Sequence, residues 1–399
     1  MQNAGKQASS AKIDCDTELI NQIMEYIQGI SEVKSYNLIG KQTKRLNAAN
    51  EACVRANVKM ELAYVPYHFL QSVVTKLTGA AIIGLSAYFY INGSMSVLYA
   101  VGMSIAAFML YGGLETMGTF SSLIHVVSVC VDKANVVLGL DTMDIDGKEL
   151  NPENHDIEVK NIEFSYDKRK IIDGISLTIP EKTTTAIVGP SGGGKTTLCN
   201  LIARFWDVDS GEITLGGTNV KDYSMNSLMN NFSFVFQNVY LFADTIENNI
   251  KFGRPEATHE EVVEAAKKAC CHDFISKLPD GYNTVIGEGG ATLSGGEKQR
   301  ISIARAIMKD SPIIILDEAT ANVDPENEKE LTLAVDALTK EKTIIMIAHR
   351  LKTVRHADQI VVVDQGRIAQ KGTHEELMKQ DGIYRRFVDS RELAVSWKI

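Results

Sequence analysis

The stretch Gly189-Pro-Ser-Gly-Gly-Gly-Lys-Thr-Thr197 decides how the second half of this chain folds. It fits the pattern G-x-x-x-x-G-K-[ST], in which glycines let successive backbone N–H groups turn inward toward phosphate oxygens. Thr185-Ala-Ile-Val-Gly supplies a strand before it, and Thr197-Leu-Cys-Asn-Leu-Ile-Ala supplies a helix after it. We therefore predict a phosphate-binding loop between a strand and a helix, and not an ordinary glycine-rich turn.

Within this loop, Lys195 is predicted to neutralise the outer phosphates of a nucleotide, and Thr196 to ligate Mg²⁺. The helix that follows adds the positive end of its dipole. The predicted contacts of the loop with the nucleotide are Gly189, Pro190, Ser191, Gly192, Gly193, Gly194, Lys195, Thr196 and Thr197.

Length and composition describe an ordinary folded protein. The chain has 399 residues, 45% hydrophobic residues and a net charge of -9, which is enough for two or three domains. The acidic balance argues against a general nucleic-acid binder. Six cysteines without metal-ligand spacing are typical of reduced thiols facing the cytosol.

The N-terminal part is predicted to be helical and partly membrane-embedded. A short amphipathic helix is expected at 17–28, and a polar helical stretch at about 31–60. No Asp, Glu, Lys or Arg occurs between Lys76 and Glu115, and Asn92-Gly93-Ser94 divides this region.

The two arms of this hairpin, about 69–91 and 95–117, approach the length of a membrane span. Basic residues before the first arm and none in the turn predict that both ends face the cytosol. A buried helical hairpin of a soluble protein is the alternative, because Lys76 lies in the first arm.

Beyond the hairpin, a helix is expected at 121–140 and an acidic, polar linker at 141–155. From about Asp156 strands alternate with helices, which predicts an α/β domain around a mostly parallel sheet with an antiparallel piece at its start. The predicted fold class is thus multi-domain: an α-helical membrane hairpin with cytosolic helical extensions, then an α/β P-loop domain at 156–399 with antiparallel β and helical subdomains.

Two further motifs carry chemistry. Ile313-Ile-Ile-Leu-Asp317-Glu318 reads as a buried strand whose acids emerge at its C-terminal end, where open α/β sheets bind ligands. Asp317 is predicted to hold Mg²⁺, and Glu318 to polarise the attacking water. Leu293-Ser-Gly-Gly-Glu297 opens a helix and forms a second anion site, which one nucleotide does not need.

Together these motifs resemble ATP-binding cassette (ABC) proteins, over about 156–387. The resemblance implies that ATP is the nucleotide, and that the loop at 293–297 contacts the γ-phosphate held by another subunit. It also implies that Tyr166 stacks on adenine, that Gln237 senses Mg²⁺ and water, and that His349 contacts the γ-phosphate. Asp324 matches the aspartate that follows the second acid, Glu318. The signature loop comprises Ser294, Gly295, Gly296 and Glu297.

Thr284-Val-Ile-Gly-Glu-Gly-Gly290 is similar to the segment by which exporters of this family couple the ATPase to their membrane helices. The resemblance then implies a partial transmembrane domain at 1–140, with 17–28 as a coupling helix. Exporter halves carry six membrane helices, and this chain has room for two. We expect a fragment, a truncated frame, or assembly with a separate chain that supplies the rest.

The predicted function is ATP hydrolysis in an exporter half-transporter of the inner or plasma membrane, with the ATPase in the cytoplasm and a second half-transporter as partner. A soluble ABC-type ATPase acting on ribosomes or DNA is one alternative, and a non-transporting interaction subunit is another. Lys76, Glu115 and His125 are too few to specify a class of substrate.

Overall fold

The computed structural model describes residues 2–140, 143, 146–290, 293–317, 325–347 and 354–396. The chain divides into two compact units, 1–141 and 142–399. The first unit is helical, and the second combines strands with helices.

Residues 2–140 of the helical unit form four helices: α1 Gln2–Gln28, α2 Ile30–Ser35, α3 Ile39–Ile91 and α4 Val97–Leu138. The helix predicted at 17–28 is the C-terminal part of α1, which begins at Gln2 and includes the polar residues before Thr17. The stretch predicted as one helix at 31–60 is interrupted. Asn37 adopts φ 53°, a left-handed conformation that Asn tolerates, and this ends α2 before α3 begins.

The turn predicted at Asn92-Gly93-Ser94 separates α3 from α4, and Gly93 has φ 73°. Among the described residues, one helix is long and apolar enough to cross a membrane, over Thr43–Ile91 within α3. A shorter apolar stretch covers Val97–Met109 in α4. Large apolar side chains on both helices are exposed, for example Ile91 at 79% and Leu98 at 77%.

The second unit contains ten strands among its described residues, listed here in chain order: β1 Ile157–Tyr166, β2 Arg169–Ile179, β3 Thr184–Val188, β4 Ser210–Leu215, β5 Thr218–Asn219, β6 Phe232–Val235, β7 Ile313–Asp317, β8 Thr343–Ile347, β9 Gln359–Asp364 and β10 Arg367–Gly372. They form an antiparallel sheet of order β2-β1-β4-β5 and a six-stranded sheet of order β10-β9-β3-β8-β7-β6. In the larger sheet only β10 runs antiparallel to its neighbour.

The helices of this unit are α5 Lys195–Ile202, α6 Met225–Asn230, α7 Ile246–Lys251, α8 His259–Lys268, α9 His272–Ser276, α10 Gly295–Lys309, α11 Pro325–Thr339, α12 His374–Met378 and α13 Ile383–Ser396. Successive side chains of β3 point to opposite faces, so Ile187 enters one core with α5 and the antiparallel sheet. Val188 enters the other core with the helices from α7 to α11. Both faces of the larger sheet are covered, which explains the unbroken apolar run in β7.

The predicted α/β architecture with an antiparallel piece at its start is therefore confirmed. Part of the predicted linker is ordered against this unit, because Asp146 and Lys148 form β-bridges with Ser224 and Tyr223. A Cβ on Gly147 would lie 2.2 Å from the Tyr223 carbonyl oxygen, so only glycine fits this contact.

Candidate nucleotide-binding site

The loop from Gly189 to Lys195 connects the buried strand β3 to α5, as the sequence predicted. Gly189 has φ 144°, and a Cβ there would lie 2.0 Å from the carbonyl oxygen of Val363 in β9. A Cβ on Gly193 would lie 2.9 Å from the same oxygen. The neighbouring strand therefore approaches the loop so closely that two positions admit only glycine.

Lys195 lies in the first turn of α5 and is 8% exposed. Its Nζ donates hydrogen bonds to the carbonyl oxygens of Gly189 (3.0 Å) and Pro190 (2.9 Å). The ammonium group is thus folded over the loop, at the N-terminus of a helix whose first N–H groups lack partners within that helix. A buried cation at the N-terminus of a helix fits a polyphosphate chain.

The hydroxyl residues of the loop differ in exposure. Ser191 and Thr196 are exposed, whereas Thr197 is buried. Thr196 is therefore the accessible hydroxyl of the first turn of α5, as its predicted role as a Mg²⁺ ligand requires.

The larger sheet brings three predicted site elements to one edge. Ile187 in β3 is in register with Ile347 in β8, which is in register with Asp317 in β7. Leu316 is in register with Val235, two residues before Gln237. These strands are parallel and about 4.8 Å apart, so the loop, Asp317 and Gln237 follow the C-terminal ends of strands within one short row.

The position of Asp317 is also visible in the electrostatics of α5. Burial, and then the negative charge of Asp317, raise the pKa of the Cys199 thiol far above its usual range. Cys199 lies in α5, one helical turn after Lys195. The carboxylate at the end of β7 therefore lies close enough to α5 to affect Cys199. Asp317, Thr196 and Gln237 carry oxygen atoms of the kind that Mg²⁺ prefers.

Glu318, Asp324 and His349 lie outside the described residues. Glu318 directly follows Asp317, and His349 follows Ile347 by two residues. The strands before them place Asp317 and Ile347 at the edge described above.

Tyr166 ends β1 in the antiparallel sheet and is 38% exposed. The rings of Phe164 and Trp206 contact it. The sheet that carries Tyr166 abuts the loop through β2, because a Cβ on Gly194 would lie 3.0 Å from Cδ1 of Ile172. Sequence reasoning missed Trp206, although an aromatic pair at 205–206 shortly after the loop helix was a possible signal.

The signature loop forms the N-terminus of α10. Ser294 is the N-cap: its Oγ accepts a hydrogen bond from the Glu297 N–H (3.3 Å), and Glu297 Oε2 accepts one from the Ser294 N–H (2.8 Å). Gly295 is exposed and Gly296 is buried. The structure thus gives Ser294 and Glu297 a capping role, and their predicted contact with a nucleotide of another chain stays a prediction.

The segment at 284–290 is fixed to the residues before α7. The Ile246 N–H donates to the Thr284 carbonyl oxygen (3.1 Å), and the Ile286 N–H donates to the Asp244 carbonyl oxygen (3.0 Å). Gly289 and Gly290 both have positive φ, 64° and 71°. This segment therefore forms one surface with the start of α7.

A loop of this kind on a mostly parallel sheet defines a P-loop nucleotide-binding domain. The profile of the family described as "ABC transporter" matches residues 172–321. A solved structure of a bacterial Atm1-family ABC exporter with ATP bound superposes with a TM-score of 0.88 at 31% identity, covering 98% of this chain and 69% of that one.

Two curated relatives give the same result. The ATP-dependent lipid A-core flippase of Desulfotalea psychrophila is 39% identical over 374 residues. A multidrug export ATP-binding/permease protein of Staphylococcus aureus is 40% identical over 387 residues. Each alignment covers 92% of this chain and 65% of the relative. The chain belongs to the ABC transporter family and resembles its exporter half-transporters.

Proposed function

We propose that this chain is the ATP-binding and ATP-hydrolysing subunit of an exporter-type ABC transporter. The observation that carries the proposal is the row at the edge of the larger sheet: a glycine loop with a buried Lys195, then Asp317 and Gln237 after neighbouring parallel strands. Such a row combines phosphate binding with Mg²⁺ ligands and a water-orienting group.

In this proposal the loop and Lys195 hold the phosphates of ATP, and Tyr166 stacks on its adenine. Thr196, Asp317 and Gln237 would hold Mg²⁺, which neutralises charge that develops on the phosphates. Glu318 orients and deprotonates the attacking water, while His349 and Asp324 complete the site around the γ-phosphate.

The signature loop acts on a second subunit. Ser294, Gly295 and Gly296 stand at the N-terminus of a 15-residue helix and suit an anion. The proposed partner is another half-transporter chain, identical or different, whose ATP this loop covers.

The proposed domain organisation assigns 1–140 to a partial transmembrane domain and 156–399 to the ATPase, with the linker at 141–155. The membrane helices would lie at about 69–91 and 95–117 and the coupling helix at about 17–28, with the ATPase in the cytoplasm. The exposed apolar side chains of α3 and α4 suit contact with lipid. A separate chain that supplies further membrane helices would be an additional partner.

A steady-state ATPase assay combined with ATP-binding calorimetry on the full chain tests this function. Glu318→Gln is expected to bind ATP normally and to lose nearly all turnover, because the water loses its base while the loop is unchanged. Lys195→Ala is expected to lose ATP affinity, and Lys267→Ala, an exposed lysine in α8, serves as the control. Parental turnover in Glu318→Gln would contradict the assignment.

Extraction of cell membranes with carbonate separates this function from that of a soluble ABC-type ATPase. A membrane-spanning chain stays in the pellet, and release into the supernatant would favour the soluble alternative.

A further inference from the structure

Three aromatic rings form a cluster at the end of β1. The Tyr166 ring lies 4.9 Å from that of Phe164 at 87° and 5.6 Å from that of Trp206 at 89°, measured between ring centroids. Phe164 and Trp206 are themselves 6.3 Å apart. Two nearly perpendicular neighbours restrict the plane of the Tyr166 ring, since edge-to-face contacts are favourable over a narrow range of orientations.

The turn that presents Trp206 is held from inside the domain. Arg204 is 2% exposed, although it carries a charge, and it adopts φ 56°. Its Nε donates to Asp207 Oδ1 (3.0 Å), and its Nη1 donates to the carbonyl oxygens of Val220 (3.3 Å) and Tyr223 (3.4 Å). These hydrogen bonds hold the backbone on both sides of Trp206. The turn leaves the indole 50% exposed, and the indole ring contacts that of Tyr166.

This turn directly follows α5, the helix that begins with Lys195. The chain thus runs from Lys195 along α5, through Ala203 and Arg204 to Trp206, whose ring contacts that of Tyr166. The phosphate side and the predicted adenine side of the site are joined by the protein itself.

We infer that Trp206 is a positioning residue for nucleotide recognition: it holds the Tyr166 ring in the plane that stacks on adenine, and thereby sets the affinity for adenine nucleotides. The inference rests on the proposed function, because it deepens the role of the same site. Trp206 acts through Tyr166, so its loss weakens binding of the base and leaves binding of the phosphates unchanged.

Calorimetry on the full chain with ATP and with inorganic tripolyphosphate tests the inference. Tripolyphosphate occupies the loop without a base, so it reports on folding and on Lys195 alone. Trp206→Leu is expected to weaken ATP binding about three- to tenfold, the range of one aromatic pair, without changing tripolyphosphate affinity. Trp206→Phe keeps an aromatic edge and is expected to restore most of the ATP affinity.

A double-mutant cycle gives the second readout. Because Trp206 acts through Tyr166, the loss in Trp206→Leu should vanish in a Tyr166→Ala background. Additive losses would mean that Trp206 binds the base by itself, and would overturn the positioning role. Equal losses for ATP and tripolyphosphate would mean a structural role, and would also overturn it.

Fluorescence supplies an independent readout, since the chain has two tryptophans, Trp206 and Trp397. In a Trp397→Phe background, ATP is expected to change the emission of Trp206, and tripolyphosphate is not. If neither ligand binds the parental chain, the proposed function itself fails. If both bind but ATP leaves the emission unchanged and Trp206→Leu has parental affinity, only the present inference fails.

Discussion

Among single residues, the candidate site depends on glycines at positions that have no room for a side chain and on a lysine whose charge is nearly buried. Gly189 and Gly193 leave room for the Val363 carbonyl oxygen, and Lys195 keeps its ammonium group nearly buried against loop carbonyls. Burial of a charge is costly unless hydrogen bonds or a ligand compensate it. The two loop carbonyl oxygens compensate part of this cost, and a bound polyphosphate would add the opposite charge, so a loop of this shape suits a triphosphate.

Burial also determines how fast the cysteines should react with an alkylating reagent. Burial raises the pKa of Cys271 to about 12, and the pKa of Cys199 is raised further by burial and by Asp317. A raised thiol pKa leaves the group protonated at pH 8, and only the thiolate is alkylated. Iodoacetamide at pH 8 should therefore modify the exposed Cys130 at least about a hundredfold faster than Cys199 or Cys271.

Peptide mass spectrometry over a time course measures these rates. Unfolding in guanidinium chloride should equalise the three cysteines, because it removes burial. Fast native labelling of Cys199 would contradict the buried environment of α5.

Among the elements, α10 is held by hydrogen bonds and ring contacts to residues 240–252, which follow β6. The Arg305 side chain donates from Nε to the Asn249 carbonyl oxygen (2.6 Å) and from Nη1 to the Tyr240 carbonyl oxygen (2.8 Å). Its guanidinium also lies over the rings of Phe242 and Phe252, 5.9 and 5.6 Å from their centroids. Burial lowers the pKa of Arg305 to about 10, which still leaves it charged at neutral pH.

Arg305→Met should lower the midpoint of thermal unfolding of the second unit by about 5–10 °C, because the partly buried carbonyl oxygen of Asn249 loses a charged donor. The midpoint of Arg305→Lys should lie between those of the parent and of Arg305→Met, since an ammonium group cannot reproduce the planar guanidinium fork. Arg385→Met removes an exposed ion pair with Asp381 and serves as the matched control. Scanning fluorimetry measures all three, and equal midpoints for Arg305→Met and the control would refute this prediction.

The loop, the strand ending in Asp317 and the turn at 92–94 were predictable because each depends on local composition. The start of α1 and the break near Asn37 were not, since polar residues continue or interrupt a helix according to their packing. The contacts of Trp206 and Arg305 could not be predicted from the sequence, because they join residues far apart along the chain. Tyr166 lies 40 residues before Trp206, and Asn249 lies 56 residues before Arg305.

For the molecule as a whole, the N-terminus of α10 supports the proposed association with a second chain. The N-terminus of α10 presents Ser294 and two glycines, although in the proposed function the loop at 189–197 already holds the phosphates of one nucleotide. The matched solved structure is described as an ABC exporter with ATP bound. An arrangement in which each signature loop covers the ATP of the other chain accounts for both anion sites.

We therefore expect ATP-dependent association of the full chain, strongest with Glu318→Gln, because that variant keeps ATP without turning it over. Two substitutions in this background separate helix capping from contact between chains. Ser294→Ala and Ser294→Arg both remove the cap, at a cost of about 1 kcal/mol, but only arginine adds bulk where the other chain would close. Ser294→Arg should stay monomeric with saturating ATP, Ser294→Ala should still dimerise, and both should bind ATP with parental affinity. Light scattering of the detergent-solubilised chain with and without ATP measures the mass; a dimer of Ser294→Arg, or a monomer of the parent, would exclude the arrangement across two chains.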